Sequence, residues 1–150
     1  MKRRIIGCGN ALRKDDGVGI AVARRLKAWG FAAEVQEASG EGADLLERLR
    51  GAESVVVIDA MRSGRAAGTL SCFGPLNGEI ETGSFAGTHG FGVAQAISMA
   101  RALGAGPPDI RVYGIEGSDF SMGEELTPEV EAAAERLARL LMESECTAND

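Results

Sequence analysis

The segment Ser54-Val55-Val56-Val57-Ile58-Asp59-Ala60 constrains the fold of this chain more than any other. Its uninterrupted β-branched run cannot leave one face in water. It therefore reads as a strand buried on both faces, at the centre of a parallel sheet. Parallel neighbours need long crossover connections, usually helices, and those helices cover the two faces.

The rest of the chain supplies these parts. Arg4 to Gly9 reads as a short buried strand, and Asn10 to Asp15 as a loop. A helix follows to about Trp29, with Asp15 or Asp16 as its cap and Val18, Val22, Leu26 and Trp29 on one face. Ala33 to Glu37 is a second strand, placed near an edge by its polarity. Gly42 to Arg50 is a short helix with Leu45, Leu46 and Leu49 inward. After the central strand and a loop from Met61 to Gly68, Thr69 to Phe73 alternates as a peripheral strand does. Pro75 to Gly87 is a long, Gly-rich connection of the kind that is often functional or mobile. Phe91 to Leu103 reads as an apolar helix stopped by Gly104-Ala105-Gly106-Pro107-Pro108. Ile110 to Glu116 is the last strand. Thr127-Pro128-Glu129 opens the final helix, whose tail frays from Ser144.

Strands alternating with helices predict a three-layer α/β/α sandwich with a mostly parallel sheet. With 150 residues and no visible linker or repeat, the chain fits one domain over 1–150. Sites in such sheets form outside the carboxyl ends of the strands. Asn10 to Asp16, Asp59 to Gly64 and Glu116 to Ser121 all follow strands, and His89, the only histidine, precedes a helix.

Composition excludes several functions. A net charge of −6 gives no footprint for nucleic acid or an anionic membrane surface. No apolar run is long enough to span a membrane, and the basic start Met1-Lys2-Arg3-Arg4 lacks a signal-peptide core. Three widely spaced cysteines (Cys8, Cys72 and Cys146) suggest reduced thiols in the cytoplasm and no metal knuckle. Without an exposed heptad seam, a monomer is expected.

Each candidate site residue also has a plain structural reading. Gly7-Cys8-Gly9-Asn10 resembles a nucleotide loop, but Leu12 stands where a dinucleotide fingerprint needs glycine. Small residues there let backbones pass closely. One carboxylate of Asp15-Asp16 can cap a helix and leave the other free. Asp59 follows an apolar strand at a carboxyl-end rim, where it serves a site or bonds nearby backbone N–H groups. His89 reads as a neutral imidazole ligand or a hydrogen-bonded loop residue. Cys8 reads as a small buried apolar residue, with a Cys–His pair as the alternative. If they converge, an imidazole and two carboxylates make a hard-to-borderline metal site.

The ordered set of motifs resembles the hydrogenase maturation proteases. It comprises Ile6-Gly7-Cys8-Gly9-Asn10, Asp15-Asp16-Gly17-Val18-Gly19, Val57-Ile58-Asp59-Ala60 with Gly68-Thr69-Leu70, Thr88-His89, Val112-Tyr113-Gly114-Ile115-Glu116, and Gly123 to Val130. The resemblance implies an α/β/α sandwich with a twisted five-stranded sheet. It implies an endopeptidase that trims the C-terminal extension of a nickel–iron hydrogenase large-subunit precursor after nickel insertion. It also implies metal contact through Asp16, Asp59 and His89, with nickel carried by the precursor and with Asp16 or Asp59 acting as base or as ligand. Two positions depart from the family pattern: Gly40, where threonine is expected after the second strand, and Ala67, where proline is common. The alternatives are a self-contained metal hydrolase and a non-catalytic module that binds nickel or the precursor.

Overall fold

The computed structural model describes residues 3–39, 41–74, 92–104 and 106–148, and side chains only up to 144 in the last of these. The expectations placed on Pro75 to Gly87, on His89 and on Phe91 lie outside the described residues.

One sheet carries five strands: β1 (Arg3–Cys8), β2 (Glu34–Ala38), β3 (Ser54–Met61), β4 (Leu70–Phe73) and β5 (Asp109–Glu116). Their spatial order is β2-β1-β3-β5-β4. All neighbours are parallel except β4, which runs antiparallel to β5. The β-branched run is the central strand, and polar β2 and alternating β4 are the edges, as their sequences require.

Four helices, α1 (Val18–Ala28), α2 (Gly42–Arg48), α3 (Val93–Ala102) and α4 (Pro128–Ala148), form the outer layers. Side-chain alternation along the strands splits the core in two. Ile5, Ile58, Ala60 and Ile115 pack on Val18, Val22 and Leu26 of α1 and on Val130, Ala134 and Leu137 of α4. Ile6, Cys8, Val55, Val57, Ile110 and Val112 pack on Leu45 of α2 and on Val93, Ala96 and Ile97 of α3. Each fully buried branched side chain contributes about 1.5–3 kcal/mol of transfer free energy, so the two faces together hold the sandwich.

Two local expectations are corrected. Neither Asp15 nor Asp16 caps α1: a 3-10 turn, Lys14–Gly17, leads into the helix, Gly17 is the N-cap, and no side chain caps it. Both carboxylates are engaged elsewhere. Trp29 does not join the inward face; it lies past the last turn, 40% exposed, with the Arg139 guanidinium over its ring. The final helix runs to Ala148.

The chain order reverses between β1 and β3. From β1 the chain crosses by α1, on one face, to β2; it then returns by α2, on the other face, to β3. This is the switch point of a doubly wound sheet, where a crevice opens outside the carboxyl ends of the strands. Asp16 follows β1, and Asp59 lies near the end of β3.

Candidate functional site at the switch point

Asp16 is placed by backbone contact. Gly9, with φ at +139°, brings the end of β1 so close that a Cβ there would lie 2.0 Å from the Asp16 carbonyl oxygen. Any side chain at Gly9 would displace the turn carrying Asp16. Gly19 plays the matching role in α1, since its Cβ would meet the backbone oxygens of Ile58 and Cys8 at 2.3 and 2.5 Å. The close passage read from Gly7-Cys8-Gly9 is therefore what the loop does. The Asp16 carboxylate is 4% exposed and accepts a hydrogen bond from the Asn10 N–H at 3.1 Å.

Asp59 is placed by strand alternation. Ile58 and Ala60 face α1 and α4, so Asp59 points to the α2 and α3 side, with Val57. Its register partner on β5 is Gly114, over which the Met61 thioether lies. Its carboxylate accepts a hydrogen bond from the adjacent Ala60 N–H, at 2.8 Å. Burial pushes the Asp59 pKa well above the usual carboxylate range, against that hydrogen bond, and the negative charge of Asp16 pushes it further. The two acids therefore feel each other across the crevice, and one cation between them would relieve both effects.

Asp15 does different work. It is fully buried and accepts from the N–H groups of Ser118, Asp119 and Thr127 at 2.9, 3.0 and 2.8 Å. The Thr127 hydroxyl donates to it as well. Burial raises its pKa, but these donors outweigh burial, and the carboxyl lies below its ordinary value. It fastens the loop after β1 to the loop between β5 and α4. The adjacent acids thus divide into a loop fastener, Asp15, and a crevice carboxylate, Asp16.

Cys8 is a free, buried thiol. Burial raises its pKa well above the ordinary thiol value; Asp59 and Asp44 add to the rise and Arg48 opposes it. A thiol so disfavoured as thiolate is a poor nucleophile, in agreement with the apolar reading.

Glu116 is a buried carboxylate that the sequence reading left without a role. It accepts from the Ser63 N–H at 2.9 Å and the Ser63 hydroxyl at 2.5 Å, pinning the β3–β4 loop. The signal was present: like Asp59, it is an acid ending an apolar strand. Among the described residues, no three His, Cys, Asp or Glu side chains are gathered to hold a metal ion. His89, the third expected donor, lies outside those residues. The chain leaves it by Gly92, which precedes the N-terminus of α3 on the Asp59 side of the sheet.

A family model described as "Hydrogenase maturation protease" (HycI) matches residues 20–144. The chain belongs to the hydrogenase maturation protease family. The match includes Asp59 and begins just past Asp16. The hydrogenase expression/formation protein HupD of Thiocapsa roseopersicina is 30% identical over 90% of this chain and 67% of its own length. Among solved structures, the [NiFe] hydrogenase maturation protease HybD of Thermococcus kodakarensis superposes with a TM-score of 0.74 at 25% identity, covering 95% of this chain and 98% of that one. The Escherichia coli hydrogenase maturating endopeptidase HybD gives a TM-score of 0.77 at 22% identity, over 99% and 94% of the two chains, a likeness of fold. The five-stranded, mostly parallel sheet with four helices is thus the fold of these proteases. Among the described residues, no helix is long and apolar enough to cross a membrane.

Proposed function

We propose that this hydrogenase maturation protease removes the C-terminal extension of a nickel–iron hydrogenase large-subunit precursor, and that it does so only after nickel has entered the precursor. The observation that carries this reading is the pairing of Asp16 and Asp59 at the switch point, where Asp16 is buried, Asp59 is partly buried, and the charge of Asp16 raises the pKa of Asp59. Oxygen donors held close in this way suit a divalent cation. They would not strip nickel from a precursor that holds it by softer sulfur ligands. His89 is the proposed third contact. It stands three residues ahead of Gly92 in the sequence, and three extended residues reach about 10 Å. Two carboxylates and an imidazole leave positions open for the precursor's own ligands.

Nickel held there would polarise the scissile carbonyl or activate the attacking water. The protein's own part is to fix the two carboxylates through the Gly9 and Gly19 contacts. Its fold is proposed to work in the cytoplasm as a monomer.

The test is cleavage of nickel-loaded and nickel-free precursor, followed by mass spectrometry. Loss of a C-terminal peptide from the loaded form alone is expected. Equal cleavage of both forms would remove the nickel checkpoint, and binding without cleavage of either would leave a non-catalytic module.

A further inference from the structure

A second cleft opens at the same rim, one strand further along the sheet. Its volume is about 520 Å³, and its walls are the β3–β4 loop, with Arg62 and Arg65, and the Gly117–Ser121 segment after β5. Both walls are anchored from below by buried carboxylates. Glu116 holds the first through Ser63, and Asp15 holds the second through Ser118 and Asp119. The Arg62 guanidinium lies across the cleft on the Phe120 ring, 3.9 Å from its centroid. Stacking in this way fixes the plane of the guanidinium and leaves its N–H edge open to an acceptor.

The charges in the cleft are unevenly spent. Asp119 pairs with Lys14 at 3.1 Å and accepts from the Ser121 hydroxyl at 2.6 Å. Glu116 is taken by Ser63. Arg65 donates to the neutral Ser71 hydroxyl at 2.7 Å, and Arg62 stacks on the Phe120 ring. Among the described residues, neither arginine has a carboxylate partner. Among the described residues the cleft therefore presents two guanidiniums without a carboxylate partner, on fastened loops, in a chain whose net charge is −6. A planar anion satisfies such a fork best.

We propose that this cleft is a carboxylate-binding subsite, in which Arg62 and Arg65 receive an acidic side chain or the chain-terminal carboxylate of the peptide being processed. The assignment of the ligand to the processed peptide rests on the endopeptidase reading above; the carboxylate chemistry does not. Arg62 leaves the sheet directly after β3, the strand that carries Asp59, so one peptide can cross both places. The subsite orients the peptide and takes no part in bond breaking.

The experiment uses the full chain and short acetylated peptides with one glutamate or one glutamine, each with a free or an amidated C-terminus. Saturable shifts of the arginine Nε–H signals are followed by NMR in the unaltered protein and in Arg62→Gln/Arg65→Gln. Both positions are exposed, so the double variant keeps the fold, which the amide spectrum checks. The expected result is saturable shifts at Arg62 and Arg65, with affinity falling about ten-fold or more in the double variant, the scale of a lost charge-assisted pair. Loss on glutamine substitution with retention on amidation assigns a side-chain carboxylate; the reverse assigns the chain terminus. No saturable shift, or equal affinity in both proteins, overturns the subsite. In precursor cleavage the double variant is expected to raise KM about ten-fold with kcat unchanged. If the peptides bind but no precursor is cut, the endopeptidase reading fails and the carboxylate subsite stands.

Discussion

The carboxylate of Asp15 accepts hydrogen bonds from both the N–H and the hydroxyl of Thr127, at 2.8 and 2.9 Å, across 112 positions of sequence. This contact fixes where α4 begins and joins the two loops at the carboxyl end of the sheet. The adjacent Asp16 is thereby carried on a turn that cannot drift.

Asp15→Ala is therefore expected to cost stability directly, by about 2 kcal/mol or more, because it leaves buried N–H donors unpaired. Chemical denaturation at neutral pH checks this. The pH dependence follows from the lowered pKa of Asp15. Its stabilisation is fully present above the unfolded carboxylate value of about 3.9 and is lost as pH falls through the lower folded value. Asp15→Asn should flatten the acid limb of the stability profile below about pH 4. An unchanged acid limb would show that other groups dominate it.

Gly9→Ala should disturb the site from a distance. The added Cβ would meet the Asp16 carbonyl, and φ at +139° is strained for alanine. A cost of about 1–3 kcal/mol is expected from the backbone alone. Processing should fall more than stability does, because the turn that moves carries Asp16. Retained processing at full rate, measured alongside the melting curve, would contradict this placement.

Asp16→Asn and Asp59→Asn should each abolish processing and leave a folded protein. Asp59→Asn also removes a carboxylate whose charged form is disfavoured, so it should melt no lower than the parent at neutral pH. Full processing by either variant would take that residue out of the site.

Cys8→Ala should cut the precursor at the parental rate, since the buried thiol is held in its neutral form. Its cost should be one of packing, visible in thermal melting. A folded but inactive variant would restore a thiol mechanism.

Much of this arrangement was legible in the sequence, and the illegible parts share a cause. The β-branched run at Ser54–Ala60 sets a central strand because only burial on both faces suits it. Asp59 is readable there because an acid ending such a strand must reach the rim. Periodicity cannot say which way a carboxylate turns once the chain leaves a regular element. Asp15 and Asp16 are neighbours with opposite duties, and the partners that separate them, Thr127 and Asn10, are one remote and one close. Trp29 fits the helical spacing but falls one residue past the end of α1 and is left uncovered. Glu116 carries the same signal as Asp59, yet its partner Ser63 lies in a loop that has no pattern to read.

The most direct test of the central claim is mass-spectrometric cleavage of nickel-loaded and nickel-free precursor by the parent protein and by His89→Ala. The parent is expected to trim only the loaded form, and His89→Ala to lose that preference along with most of its activity. Trimming of both forms by the parent, or an undiminished preference for the loaded form in His89→Ala, would contradict it.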